Sequence, residues 1–120
     1  MPNFRELTTS SGKLVLSGKD RETNEKLIKQ VEADNIVLHT AKPGSPFAEI
    51  KGKATKKDIK EASIFIAKFS QDWKKNKKDV KVHYFIGKDI YKSKDMKTGT
   101  FGVKKFKEIV VRKKEIEQVL

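Results

Sequence analysis

The sequence predicts an α+β domain, a mostly antiparallel sheet with two main helices packed on one side. Three observations carry this. From Val80 the pattern has period two, with Val82, Tyr84 and Ile86 on one face and Lys81, His83 and Phe85 on the other, as in a half-buried strand. Ile59, Ala62, Ile66, Phe69 and Trp73 recur at helical spacing behind Thr55 and Asp58, which form a capping-box pair. Strand runs and helices also do not alternate regularly, as a parallel sheet with crossover helices would require.

The elements follow in order. Phe4 to Thr9 and Leu14 to Ser17 are extended segments separated by the Ser11-Gly12 turn signal, so the chain opens with a hairpin. Gly18 leads into Asp20, a good N-cap, and Leu27, Ile28 and Val31 make the apolar stripe of a helix from about Arg21 to Glu32. Ile36 to His39 reads as a strand, and Phe47 to Ile50 as another beyond the Pro43-Gly44-Ser45-Pro46 turn. The helix opened by Thr55 is expected to run to about Trp73, to pack its aromatic stripe on the sheet, and to be released by Lys74-Lys75-Asn76-Lys77-Lys78. Ile90-Tyr91 and Phe101 to Val103 bracket a polar Lys- and Gly-rich segment. Glu108 to Val111 gives a last strand before a charged tail.

Composition narrows the function. A chain of 120 residues fits one domain with one core, residues 1–120. It holds no apolar run of about 18 residues and no charged-then-apolar leader, so a soluble, cytoplasmic protein without membrane contact is expected. The absence of cysteine removes disulfides and thiolate chemistry together. The formal net charge is +12, and it is one-sided: residues 1–50 carry seven Lys/Arg and seven Asp/Glu, so the whole excess lies in residues 51–120. Such a field attracts polyanions. Of the 28 basic residues only Arg5, Arg21 and Arg112 are arginine. Lysine is a point charge suited to phosphate, whereas bidentate reading of guanine edges is mostly arginine's work, so backbone and shape recognition is expected over sequence reading.

Catalytic chemistry has little to draw on. His39 and His83 are the only histidines, and no ligand spacing completes a metal site, so no metal and no cofactor are expected. Asp20 and His39 would form an acid–base pair only if the fold joined them. Nucleic-acid chemistry has more. Gly18-Lys19-Asp20 sets a lysine at a glycine turn beside a helix start, where backbone N–H groups and the helix dipole favour phosphate. Lys42-Pro43-Gly44-Ser45 combines a cation, a glycine turn and a hydroxyl. Lys92, Lys94 and Lys97, closed by Gly99, form a lysine-rich loop that could join Lys74 to Lys78 in one basic face. Phe85 and Tyr91 are candidates to stack on an unpaired base, with core packing the rival reading.

These residues resemble a known family, the RNA-binding NFACT-R domain. Phe4-Arg5, then Gly18-Lys19-Asp20, Asn24-Glu25 and Leu27, are similar to its aromatic-Arg strand, Gly-(Lys/Arg)-Asp turn and Asn-Glu pair. Leu38-His39 with Pro43-Gly44-Ser45 resembles its second signature, and Lys92, Lys97 and Gly99 its third, so the resemblance runs from Phe4 to about Val111. Taken with the turn and loop readings above, which supply Lys42 and Lys94, it implies RNA contacts from Arg5, Lys19, His39, Lys42, Gly44, Ser45, Lys92, Lys94 and Lys97, with Gly18, Asp20, Asn24 and Gly99 shaping turns and caps. In the family's larger members this domain accompanies other domains that act on stalled large ribosomal subunits with tRNA. Pro46 stands where those members tend to have histidine, which resembles the stand-alone branch linked with tRNA modification enzymes. The expectation is a non-enzymatic module recognising structured RNA, tRNA or rRNA, mainly through its phosphates, with a tRNA-modification enzyme or a ribosomal subunit as partner. The alternative is a protein-interaction subunit whose basic face meets an acidic partner.

Overall fold

A computed structural model describes residues 3–120. The first hairpin pairs β1 (Arg5–Thr8) with β2 (Leu14–Ser17) around a turn closed by the Thr9 carbonyl, which accepts from the Gly12 N–H at 2.9 Å. Then come α1 (Arg21–Gln30), β3 (Ile36–Thr40) and β4 (Ala48–Ile50). Two helices, α2 (Lys56–Phe69) and α3 (Gln71–Asn76), precede β5 (Val80–Ile86). The chain ends with β6 (Ile90–Tyr91), β7 (Gly102–Val103), β8 (Lys107–Val111) and α4 (Lys113–Glu117). Six strands form one antiparallel sheet in the order β1-β2-β4-β3-β5-β8, and β6 with β7 forms a separate two-stranded ribbon. The α+β class is as the sequence predicts, and no helix among the described residues is long and apolar enough to cross a membrane.

The two main helices, however, do not share a side. Successive residues of a strand point to opposite faces, and here both faces are apolar. Val15, Leu38, Ala48, Ile50, Val80, Val82 and Val111 pack with Ala62, Ile66 and Ala67 of α2. Val37, Phe47 and Phe85 pack with Leu27 of α1, together with Ile90, Phe101 and Val103 from the ribbon. A strand covered on both faces reads as a continuous apolar run, and Ile36-Val37-Leu38 is one. Only part of the α1 face is covered, and this leaves room for a groove.

The long helix is also shorter than its stripe suggests. It ends at Phe69, and Ser70 takes an extended backbone conformation. Its hydroxyl donates to the Ala67 carbonyl at 2.7 Å and accepts from the Trp73 N–H at 3.2 Å, so one side chain closes α2 and opens α3. Trp73 nevertheless stays in the core. The capping box is present: Thr55 Oγ1 accepts from the Asp58 N–H and Asp58 accepts from the Thr55 N–H. Ser11 Oγ donates to Asp58 at 2.6 Å, tying the first hairpin to α2 and, with the Thr55 N–H, holding the Asp58 carboxyl well below the usual carboxylate range. The charged tail is not loose either, because α4 buries Ile116 fully and Lys60 reaches Glu115 at 3.0 Å.

Two buried polar side chains fasten α1 to the sheet. Glu49, fully buried on β4, accepts from Gln30 Nε2, the Glu32 N–H, Asn35 Nδ2 and Lys51 Nζ, at 2.8 to 3.1 Å. Burial alone would raise its pKa, but these donors prevail and hold it low. Asn24, in the first turns of α1, accepts from the Phe47 N–H at 3.1 Å, while the Gly18 N–H donates to the Phe47 carbonyl. A Cβ at Gly18 would stand 2.0 Å from Asn24 Oδ1.

This contact predicts non-additive energetics. Gly18→Ala should destabilise by about 1–3 kcal/mol through overpacking. Asn24→Ala should cost about 1–3 kcal/mol by leaving the buried Phe47 N–H without its acceptor. The double variant should lose clearly less than the sum, because removing the Asn24 amide opens the space a Gly18 methyl needs. Urea melts of all four proteins check this, and strict additivity contradicts it.

Candidate nucleic-acid interface

At the end of the sheet where β2 runs into α1, four segments converge: Gly18 to Arg21, the 41–46 loop, the α2–α3 junction and the 97–101 loop. Between them lies a cleft of about 730 Å³. Arg5, Lys19, Arg21, Lys74 and Lys97 line it, with Asp20 as the only acidic residue. Among the described residues Lys19, Lys74 and Lys97 form no ion pair within 4.0 Å, whereas Arg21 leans on Glu22 at 3.5 Å with both side chains exposed.

The cleft gathers much of what the sequence singled out: Arg5, Lys19, His39, Gly44, Ser45 and Lys97, with Asp20, Asn24 and Gly99 beside them. Their roles differ in detail from the expectation. At the Gly18-Lys19-Asp20 turn several backbone donors are already used. Thr23 Oγ1 accepts from the Lys19 and Asp20 N–H groups at 2.7 and 3.0 Å, and Asp20 accepts from the Thr23 N–H at 2.9 Å, which keeps its carboxyl below the usual range. Positive charge here is therefore offered by side chains more than by amides. Ser45 turns its hydroxyl inward, accepting from the Thr40 N–H at 3.0 Å, and the Gly44 carbonyl accepts from Gln71 N–H at 2.8 Å. The 41–46 loop is thus tied to the end of β3 and to α3. Arg5 lies 4.0 Å above the Phe69 ring and donates to the Gly18 carbonyl at 3.1 Å, pinning the first strand to the turn.

Lys42 and Lys94 are not brought to the lining. Lys42 approaches Asp72 at 3.6 Å, and Lys94 is exposed on its loop. Lys92 has an internal task. Its ammonium donates to Glu25 Oε1 at 3.0 Å and to the Lys97 and Thr100 carbonyls, and it sits 4.5 Å from the centre of the Phe101 ring. Glu25 also accepts from the Gly99 N–H at 2.7 Å, the main cause of its lowered pKa. Gly99 has φ +81°, and a Cβ there would lie 2.7 Å from the Arg21 backbone, so glycine is required for the loop to close on α1. Lys92, Glu25 and Gly99 together place Lys97 at the cleft.

The sequence also proposed one basic face from Lys74–Lys78 and Lys92–Lys97. One lysine from each run, Lys74 and Lys97, reaches the cleft, while Arg5, Lys19 and Arg21 come from the electrically balanced first part of the chain. Of the stacking candidates, Phe85 is core, 5% exposed, whereas Tyr91, beside Gly102 in the ribbon, is 46% exposed but does not line the cleft. Residues that sequence reasoning passed over are Arg21 and Lys74 as individual cleft cations, and His83 with Phe106. The His83 ring stacks on Phe106 with centroids 3.9 Å apart and planes 21° apart.

His39 and Asp20 do not form an acid–base pair, since no hydrogen bond joins them among the described residues. His39 sits between Phe47, 4.2 Å away by ring centroids, and the Thr40 carbonyl, to which Nδ1 lies at 2.8 Å. Burial pushes its pKa down to about 4, so the ring is neutral at physiological pH, and Nδ1, which faces a carbonyl that can only accept, carries the proton.

The comparisons with known proteins agree with this geometry. Over 71 residues the chain is 38% identical to the archaeal Rqc2 homolog aRqcH of Methanocaldococcus jannaschii, a stretch covering 56% of this chain and 11% of that protein. The C-terminal part of the fibronectin/fibrinogen-binding protein from Streptococcus suis superposes with a TM-score of 0.85 over 98% of this chain and 49% of that one. At 17% identity the second likeness is one of fold. The NFACT protein RNA binding domain matches residues 3–105, and the chain belongs to that family.

Proposed function

We propose that this domain is a non-enzymatic module that grips structured RNA, tRNA or rRNA, by its phosphate backbone in the cleft between α1, the 41–46 loop and the 97–101 loop. The observation that carries this reading is the convergence there of Lys19, Arg21, Lys74 and Lys97 from the start of α1, from α3 and from the 97–101 loop. Lysines neutralise phosphates and release counterions whatever the sequence, while the glycine turns fix a path that a folded RNA backbone can match. Two titratable groups of the cleft are engaged in structure, which fits binding: Asp20 caps α1 and His39 donates to a backbone carbonyl. The family and the Rqc2 homolog favour RNA binding connected with ribosome-associated quality control; our reading adds tRNA as a target, a tRNA-modification enzyme as the other setting, and the cytoplasm as the place.

Two measurements test this. Binding of tRNA should weaken steeply with salt. Replacing Arg21 and Lys97 together by Ala should flatten the slope of log affinity against log salt by about 1.4 to 1.8 units, two phosphate contacts' worth between single-stranded and duplex charge density. An unchanged slope refutes the assignment. Lys92→Ala should behave differently, lowering stability by about 1–3 kcal/mol through lost charge-assisted bonds and raising hydrogen exchange at the Gly99 and Thr100 amides. A Lys92→Ala protein with wild-type exchange at these amides would return Lys92 to the RNA contacts.

A further inference from the structure

The cleft floor carries a feature that phosphate binding does not use. In register across β3, β5 and β8 lie His39, His83 and Glu108, all on the face that α1 and the ribbon cover only in part. His83 Nε2 lies 3.1 Å from Glu108 Oε2, which fixes the ring's orientation. Phe106, just ahead of β8, stacks on that ring yet remains 53% exposed. On the other side His39 leans on Phe47, whose ring meets Phe101 edge-on at 5.5 Å. All five rings line the cleft that also holds the cations.

A single exposed phenylalanine on a protein surface calls for no explanation. This one is pre-stacked on an immobilised ring, at the mouth of a cationic cleft, beside a second imidazole. An aromatic platform next to phosphate-binding charges matches the two chemistries of a nucleotide, a π-face and an anion.

We propose that the His83–Phe106 stack, with His39 beside it, receives one unpaired nucleobase of the bound RNA, which lies on the exposed face of Phe106 while the adjoining phosphates meet Lys97 and Arg21. The inference rests on the RNA-binding reading above and adds to it that the RNA must offer an unpaired base, as a loop, bulge or end does. A fully paired duplex fills the cationic rim and leaves the platform empty. Recognition is then of a junction between a helical backbone and an unstacked nucleotide. Because the platform contacts a ring face, it tolerates any base.

The test uses the full chain and an RNA stem-loop in which each loop nucleotide in turn is made abasic. One abasic position should weaken binding to wild type about tenfold, the loss expected for one stacked base. Phe106→Ala should weaken binding of the intact RNA by a similar factor and make the critical abasic position nearly silent. Phe106→Trp should restore both the affinity and the sensitivity. Thermal melts of the variants separate loss of the platform from loss of the fold, and Phe106→Leu, apolar without a ring, should bind like the Ala variant. A flat abasic scan, or Phe106→Ala binding as tightly as wild type with its salt slope intact, overturns the base platform and leaves the phosphate reading standing. Failure of any RNA to bind overturns both.

Discussion

The interface depends first on a single buried amide. Asn24 Oδ1 accepts from the Phe47 N–H where β4 begins, and it sits so close to Gly18 that no side chain fits between them. This sets the start of α1 against the sheet. Everything on the first turns of α1 inherits the position: Lys19 and Arg21 at the cleft rim, and Glu25 one turn below. Glu25 then organises Lys92 and the Gly99 N–H, and the Arg21 backbone packs directly under Gly99. The far loop, with Lys97, is therefore located by a chain of contacts that begins at Asn24. Buried polar groups are costly unless satisfied, and here satisfaction is available in one arrangement only, which is how polar contacts specify geometry.

The lysines divide by what their ammonium groups already touch. Lys51 contacts Glu49, Lys60 contacts Glu115, Lys92 has three oxygens and a ring face, and Lys77 lies 5.0 Å from the Trp73 ring. For a phosphate to recruit one of these, the existing partner must be given up and a carboxylate or ring left alone. Lys19, Lys74 and Lys97 carry no such cost, since their ammonium groups meet no carboxylate or ring among the described residues. Equal residues in the composition are thus unequal in the site. The difference arises from placement and not from any intrinsic property of the side chains.

Much of the local structure was legible because its signals are short-range. The Thr55–Asp58 box, the Ser11-Gly12 turn, the period-two strand from Val80 and the Gly18-Asp20 helix start all depend on residues within a few positions of one another. The features that escaped depend on distant partners. Ser70 breaks the long helix with its own hydroxyl while the apolar stripe runs on to Trp73, so periodicity carries across a bend it cannot register. Whether two amphipathic helices share a face is decided by which strand residues each meets, and only the Ile36-Val37-Leu38 run hinted that both faces are covered. Lys92 looked like its neighbours until Glu25, 67 positions away, claimed it. Phe106 was passed over because a lone phenylalanine before a strand has no pattern, and its meaning lies in His83 across the sheet.

Net charge and cleft act at different ranges. The excess of +12 arises in residues 51–120, yet three of the five cations in the cleft come from the balanced first part. At physiological salt a surface charge is felt over about 8 Å, so most of the lysines contribute to a diffuse field that speeds the approach of a polyanion without holding it. Holding requires charges on fixed backbone, and the cleft supplies these from segments tied down by the Gln71–Gly44, Glu25–Gly99 and Asp20–Thr23 hydrogen bonds. A lysine coat alone would take any nucleic acid, paired or not. In the proposed RNA-bound state the fixed placement of the cations sets the path: a backbone that cannot run from Lys19 to Lys97 gains the field but not the contacts. On the proposed reading, selectivity for shape therefore belongs to the turns and the buried amide that place the cations, and affinity to the lysines themselves.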